Sequence, residues 1–331
     1  MCISRRMNTE VISMHRIGRK IVVLGAGNVG ATIAYTLAIN GAATTILIID
    51  INKEKAMGEA MDITQGAAFC PPANVIAGEY EEAAGADIVI IAVGAARKPG
   101  MSRIDLAQTN VAIVREVMPQ ITKHAPDAVY LVVSNPVDIL TYFIIKNSGI
   151  HESRVIGSGT LLDSARLRSS LAEHVGLNTA HVHAYVFGEH GDTSVVPWSL
   201  ATMGGMRIHE YCNNVCEREN QCGKGELDDI LNDIRTAGAK VISYKGATYY
   251  AIAISVNRIC DYILRDANAI LTVSGLLHGQ YGIEDVCMSL PFVVGKQGIK
   301  RSFTPILTAD EERQLVHSAD SLKAAIKALG L

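Results

Sequence analysis

A short apolar run at residues 21–24 ends directly in Gly25, Ala26, Gly27, Asn28, Val29 and Gly30. A helix-compatible stretch fills 31–39, and a second apolar run at 46–49 stops at Asp50. This order reads as strand, tight turn, helix, strand, and few folds accommodate it. Further apolar runs lie at 88–93 and at 129–133, the latter ending in Ser134, Asn135 and Pro136. Near-continuous apolar strands separated by helical stretches predict an α/β chain with a parallel sheet covered on both faces. From about residue 155 the texture changes. Strands are predicted at 182–187, at 269–273 and, despite Pro291, at 290–294, with long helical segments between and after them. The second half therefore reads as a mixed domain whose join to the first forms a cleft. Thr308 followed by Glu311, ahead of Leu315, Leu322, Ile326 and Leu329, predicts a capped amphipathic helix at the end.

Composition narrows what such a chain does. At 331 residues it is long enough for two compact domains. Lys and Arg total 30 against 33 Asp and Glu, a formal charge of -3 that leaves no overall footprint for nucleic acid or an anionic membrane. No uninterrupted apolar run reaches the roughly 18–20 residues that cross a bilayer. The 7 cysteines are odd in number and follow no disulfide framework, which predicts free thiols in a reducing, cytoplasmic compartment. Cys212, Cys216 and Cys222 lie close in sequence, but no histidine or second cysteine pair completes a tetrahedral set, so no metal site is expected. Residues 1–19 carry Arg5, Arg6, Arg16 and Arg19, with Glu10 interrupting the basic pattern, and read as a packing arm or extension.

The glycine spacing matches a dinucleotide-binding turn. Gly25 makes the tight turn, Gly27 admits the backbone close to a pyrophosphate, and Gly30 lets helix and strand pack closely. Amides of Asn28 and Val29 at the helix start add partial positive charge. Asp50, 20 residues beyond Gly30, suits both hydroxyls of an adenosine ribose and repels a 2'-phosphate, so NAD is expected over NADP. The competing reading is a plain turn with Asp50 capping an element. Asn135 ends the fourth apolar run, where ligands gather in an open parallel sheet; spacing alone equally allows an Asn that opens a turn before Pro136.

Three further segments invite chemistry: Arg97 to Arg103 on a loop, Asp163 with Arg166, and Glu189, His190, Gly191, Asp192. Moving a hydride to or from carbon requires a proton partner on the attached oxygen, and His190 has the side-chain type that titrates near neutrality. A carboxylate such as Asp163 can orient the imidazole and favour its charged form. Taken singly, each of these residues is as well explained as a surface or capping side chain.

Together they resemble the lactate and malate dehydrogenase family, and most closely its bacterial L-lactate dehydrogenases. The resemblance runs from about Lys20 to the C-terminus and rests on GAGNVG at 25–30, SNPVD at 134–138, LDSAR at 162–166 and GEHGDT at 188–193. It implies a Rossmann-type NAD-binding domain at 20–154 followed by an α+β substrate domain at 155–331. It also implies His190 as acid or base, Asp163 as its orienting partner, and Arg166 as a fork for the substrate carboxylate. Arg103 would polarise the reacting carbonyl and Thr248 would line the substrate site, while Asn135, by its place at the strand end, is expected to hold cofactor or substrate. Arg168 and His183 match a sugar-bisphosphate activating site, which implies fructose 1,6-bisphosphate as activator of a homotetramer.

One loop departs from the lactate pattern. Arg97 stands where the lactate enzymes usually have Gln, and Met101 where they usually have Glu. An arginine facing the methyl of pyruvate would be desolvated without an ionic partner, whereas the second carboxylate of oxaloacetate supplies one. Thr248 in KGATYY and the stretch HGDTSVVPWS resemble the lactate group. The expectation is therefore an L-lactate dehydrogenase, with malate dehydrogenase as the alternative favoured by Arg97. A dinucleotide-binding sensor would keep the glycine turn but would not require His190, Asp163 and three arginines together.

Overall fold

The computed structural model describes residues 18–95, 103–216 and 224–331, with Arg103 and Lys224 described by their backbone. Residues 1–17 of the 1–19 segment expected as an arm, together with Arg97, Met101 and Cys222, lie outside the described residues; Arg19 joins the start of the sheet, its carbonyl accepting from the Thr44 and Thr45 N–H groups.

The first half alternates strand and helix as its apolar runs predict: β1 (Lys20–Leu24), α1 (Asn28–Ile39), β2 (Thr45–Ile49), α2 (Lys53–Gln65), β3 (Asn74–Ala77), β4 (Ile88–Ile91), α3 (Arg103–His124), β5 (Val129–Val132), α4 (Val137–Asn147) and β6 (Val155–Gly157). Burial explains the unbroken apolar runs. Ile21 to Leu24 in β1 and all four residues of β4 are buried, because helices cover both sheet faces. The six strands are parallel in the order β3, β2, β1, β4, β5, β6, a Rossmann-type sheet. The order reverses between β1 and β4. Side by side at this point lie the turn after β1 and the segment after β4, with Ser134 and Asn135 after β5 beside them.

The second half adds α5 (Leu161–Val175), the short strands β7 (Val182–His183), β8 (Thr202–Met203) and β9 (Met206–Arg207), and the helices α6 (Ile208–Asn214), α7 (Lys224–Lys245) and α8 (Tyr250–Leu264). It ends with β10 (Ala269–Gln280), β11 (Ile283–Gly295), β12 (Gly298–Ser302) and α9 (Ala309–Ala328). This is the mixed α+β unit expected, with three corrections. The predicted strand at 182–187 shrinks to β7, after which Phe187 pairs only with Val195 and Gly188 with Ser289. Apolar content there reflects burial of a loop support, since Val186 and Phe187 are fully buried. The two short strands predicted at 269–273 and 290–294 are parts of one long antiparallel hairpin. Pro291 is tolerated because its N faces the end of the β12 ladder, where its carbonyl accepts from the Phe303 N–H. Finally, Cys212 is disulfide-bonded, whereas free thiols were expected throughout; Cys70, Cys216, Cys260 and Cys287 are free. Sequence proximity does not distinguish a thiol from a bridge.

The hairpin joins the parallel sheet through an antiparallel pairing of Ser274 with Gly157, so β10, β11 and β12 extend it to nine strands. Gly157 is confined by that junction: an added Cβ would lie 2.6 Å from Thr141 Oγ1 and 2.7 Å from Ser274 Cβ.

The terminal helix α9 starts at the predicted capping box, with Thr308 and Glu311 satisfying each other's backbone amides. Glu311 does more than cap. Its carboxylate also accepts from the Ser199 N–H at 2.9 Å and the Ser199 hydroxyl at 2.7 Å. Burial opposes its charge, but these bonds together hold the carboxyl below the ordinary range. Glu311→Ala is expected to lower unfolding stability by about 2–3 kcal/mol, since buried donors lose a charged acceptor; a shift in the urea midpoint checks this.

Candidate active site

The turn after β1 is built for close approach. Gly25 has φ +103°, and a Cβ there would lie 2.7 Å from the Ala92 carbonyl oxygen. At Gly30 a Cβ would fall 1.8 Å from the Gly25 carbonyl oxygen, so helix and turn touch backbone to backbone. Gly27 differs, because an added Cβ would meet nothing within 4 Å. It is the N-cap of α1, accepts no substitute side-chain cap, and no acidic residue occupies the first helical turn. Amides at Asn28 and Val29 thus sit at a helix start that no side chain has neutralised, which fits a pyrophosphate.

Asp50 follows β2 beside this turn. Its Oδ2 accepts from the Ala26 N–H at 2.6 Å and its Oδ1 from the Asn52 N–H at 2.8 Å. The carboxylate therefore shapes the turn itself, and each oxygen retains a further lone pair for a ribose hydroxyl. Glu79, not singled out from the sequence, forms an ion pair with Lys53 at the start of α2. With Asp50 it raises the pKa of the half-buried Tyr80 phenol, after burial the largest influence.

Across the switch point, Asn135 is exposed, and its carbonyl accepts from Asn110 Nδ2 at 2.6 Å. Buried Asn110 also accepts the Ala95 N–H at 2.8 Å, tying the segment after β4 to the one after β5. Its position within α3 left no sequence signal beyond a polar residue on a helical face.

The residues His190, Asp163 and Arg166 come together. Asp163 lies in the first turn of α5, 10% exposed, and its two oxygens serve different partners. Oδ2 is 2.6 Å from His190 Nδ1, and Oδ1 accepts from Arg166 at 2.8 Å. Burial favours the neutral acid, but His190 and Arg166 override it and hold the Asp163 carboxyl below its ordinary range. Burial likewise disfavours imidazolium; the Asp163 charge and hydrogen bond prevail, and His190 titrates above its ordinary value. The Asp163 contact occupies Nδ1, leaving Nε2 as the nitrogen able to exchange a proton with a ligand.

Asp138, the last residue of SNPVD, is a buried neighbour of His190 that sequence reasoning passed over. Its Oδ2 accepts the His190 N–H at 2.8 Å, fixing the backbone at the imidazole. Burial raises its carboxyl to about 6, opposed by the Ser274 hydroxyl and the His190 amide. Ser274 lies near enough to favour the charged form, yet Asp138 Oδ1 and Ser274 Oγ complete no well-formed hydrogen bond.

The remaining predicted residues do not join this cluster by any direct bond. Thr248 is half-buried in the connection between α7 and α8. Arg168 donates to the carbonyls of Val182 and Thr179 at 2.9 and 3.4 Å, and His183 beside it is exposed. Arg97 and the Arg103 side chain are outside the described residues.

A glycine turn with an acid closing the second strand defines an α/β protein that binds a dinucleotide. Residues 19–157 match the family model for the NAD binding domain of lactate/malate dehydrogenase, and residues 160–329 match its alpha/beta C-terminal domain. The chain belongs to the lactate/malate dehydrogenase family, and so to the NAD-dependent 2-hydroxyacid dehydrogenases. It is 47% identical to L-lactate dehydrogenase 1 of Clostridium acetobutylicum over 310 residues, covering 94% of this chain and 98% of that protein. Identity to L-lactate dehydrogenase of Thermoanaerobacterium saccharolyticum is 44% over 312 residues, with 94% and 99% covered. The crystal structure of a minor L-lactate dehydrogenase from Enterococcus mundtii, in its ligands-bound form, superposes with TM-score 0.89 at 38% identity, covering 94% of this chain and 98% of that one. A lactate dehydrogenase enzyme from a Medee basin deep-sea metagenome library gives 0.90 at 38% identity, with 95% and 99% covered.

The two glycines are expected to separate folding from binding. Gly30→Ala should fail to give a stable fold, because backbone blocks its Cβ, whereas Gly27→Ala should fold normally and bind NADH weakly. Thermal melts combined with NADH fluorescence titration check both.

Proposed function

We propose that this chain is an L-lactate dehydrogenase, interconverting pyruvate and L-lactate with NAD. The observation that carries this reading is the Asp163 carboxylate gripping both His190 and Arg166. One carboxylate thereby orients a proton carrier and a carboxylate-binding fork as a unit. NAD, held by the turn at Gly25, Gly27 and Gly30 and by Asp50, supplies or takes up the hydride when bound.

In the direction of reduction, His190 donates its Nε2 proton to the carbonyl oxygen of the keto acid; in oxidation the neutral imidazole takes the hydroxyl proton. Asp163 stabilises the imidazolium and keeps the proton on Nδ1. Arg166 retains guanidinium N–H groups beyond the one on Asp163, and these bind the substrate carboxylate. Arg103 polarises the carbonyl, and Asn135 and Thr248 complete the wall of the substrate site. The malate reading has one specific feature in its favour, Arg97, whose guanidinium would pair with the distal carboxylate of oxaloacetate. We further propose a cytoplasmic homotetramer in which Arg168 and His183 receive fructose 1,6-bisphosphate.

Paired assays of NADH oxidation with pyruvate and oxaloacetate, with and without fructose 1,6-bisphosphate, test the substrate assignment. Pyruvate should be the better substrate by kcat/KM, with appreciable activity on oxaloacetate, and Arg97→Gln should move the ratio by about tenfold or more toward pyruvate, as expected when a shielded charge loses its partner. A ratio unmoved by the substitution removes Arg97 from substrate reading. The pH dependence follows from the raised pKa of His190. Reduction needs the protonated form, so its rate should hold through the ordinary histidine value of 6.5 and fall only as pH rises beyond it. Asp163→Asn should bring that fall to lower pH and reduce kcat by about 10²-fold or more. Stopped-flow single turnovers across pH read both effects.

A further inference from the structure

We propose that Ser318 on α9 is a positioning residue for the reaction, closing a ring of hydrogen bonds around the loop that presents His190. This inference rests on the reading of His190 as the proton carrier. Ser318 has no exposed surface. Its Oγ accepts the Glu189 N–H at 2.9 Å and lies 3.0 Å from Thr193 Oγ1. Thr193 in turn donates its hydroxyl to the Glu189 carboxylate.

Proton counting fixes the direction of every bond. Each hydroxyl carries one hydrogen and two lone pairs. Since Thr193 gives its hydrogen to Glu189, the Ser318 hydroxyl must donate to Thr193. The circuit runs from the Glu189 amide to Ser318, from Ser318 to Thr193, and from Thr193 to the Glu189 carboxylate. All donors point the same way around, an arrangement in which each bond polarises the next. Glu189 and Thr193 flank His190 in sequence, so this ring spans the residue on both sides. Gly188 lies against the same hydroxyl: at φ +88°, an added Cβ would stand 2.7 Å from Ser318 Oγ.

Two further anchors complete the support. Asp138 holds the His190 amide, and Gly188 exchanges backbone bonds with Ser289 of β11. Helix α4, strand β11 and helix α9 therefore grip the loop at three separate points, and Ser318 bonds to both flanks. Ser318 touches no reacting atom. Its effect on chemistry passes through the aim of the imidazole at Asp163 and at the substrate oxygen, where misplacement by about 1 Å is enough to cost on the order of 10²-fold in rate.

Ser318→Ala should reduce the single-turnover rate of keto-acid reduction by about tenfold or more while leaving the NADH dissociation constant within about twofold. The fall in rate at high pH should move toward the ordinary histidine range, because a loosened loop weakens the His190–Asp163 bond. Thr193→Val, which removes a second member of the ring on the loop side, should reproduce the loss and the pH shift. The double variant should be no slower than the worse single one, as for residues that act as a unit. An unchanged rate in either folded variant, a rate loss without a pH shift, or additive effects would overturn the proposal. Should Ser318→Ala not fold, Thr193→Val decides by the same readouts. Failure of the underlying reading is distinct: the wild-type chain would then lack the high-pH fall, or lose none of its rate in His190→Asn.

Discussion

One shared carboxylate organises the site. Asp163 is buried at the start of α5 with a cationic or titrating partner on each oxygen, an arrangement in which the partners outweigh the cost of burying the charge. Removing either partner would leave the other paired with a buried charge no longer balanced. The positions of Asp163, Arg166 and His190 are consequently interdependent. Much of the second half serves that interdependence: Thr160 bonds to the Val186 carbonyl and, by its amide, to Ser289, while Ser164 accepts the Val186 N–H at 2.9 Å. Helix α5, the segment entering the His190 loop and β11 are locked by these hydroxyls.

The first half was legible in the sequence because its physics is local. Parallel strands buried on both faces produce unbroken apolar runs, and the glycine turn leaves a fixed spacing before Asp50. Boundaries differed by one to three residues, as at β4, where the predicted run to 93 ends at Ile91, although the Ala92 N–H still donates to the Leu24 carbonyl. The second half was less legible. Apolar residues at 182–187 are buried as the support of a loop, and pattern alone reads burial as strand. The long hairpin was seen only in part: the missed stretches 274–280 and 283–289 are largely buried, but Ser274, Gly275 and Ser289 interrupt their apolar runs, and pattern alone does not read a buried small or polar residue as strand.

Within the site, the sequence singled out His190, Asp163 and Arg166, which stand in contact, but not the residues that hold them. His190, Asp163 and Arg166 carry motifs, and the pairing of the first two is the one anticipated from chemistry. Asp138, Asn110 and Ser318 bond to residues 15 to 129 positions away in sequence, and a buried polar side chain on a helix leaves no periodicity by which to recognise its task. Arg168 shows the converse. The family resemblance suggested an anion site there, yet in the fold its guanidinium secures the backbone of Thr179 and Val182.

The two amide bonds to Asp50 have a consequence for how this lineage can change. A descendant that exchanged the carboxylate for a small neutral side chain, to admit a 2'-phosphate, would also withdraw the acceptor from the Ala26 amide inside the glycine turn. On the proposed reading of Asp50, preference for one nucleotide and the shape of its cradle are inherited together, and a switch of cofactor would require compensating substitutions in the turn before it became advantageous.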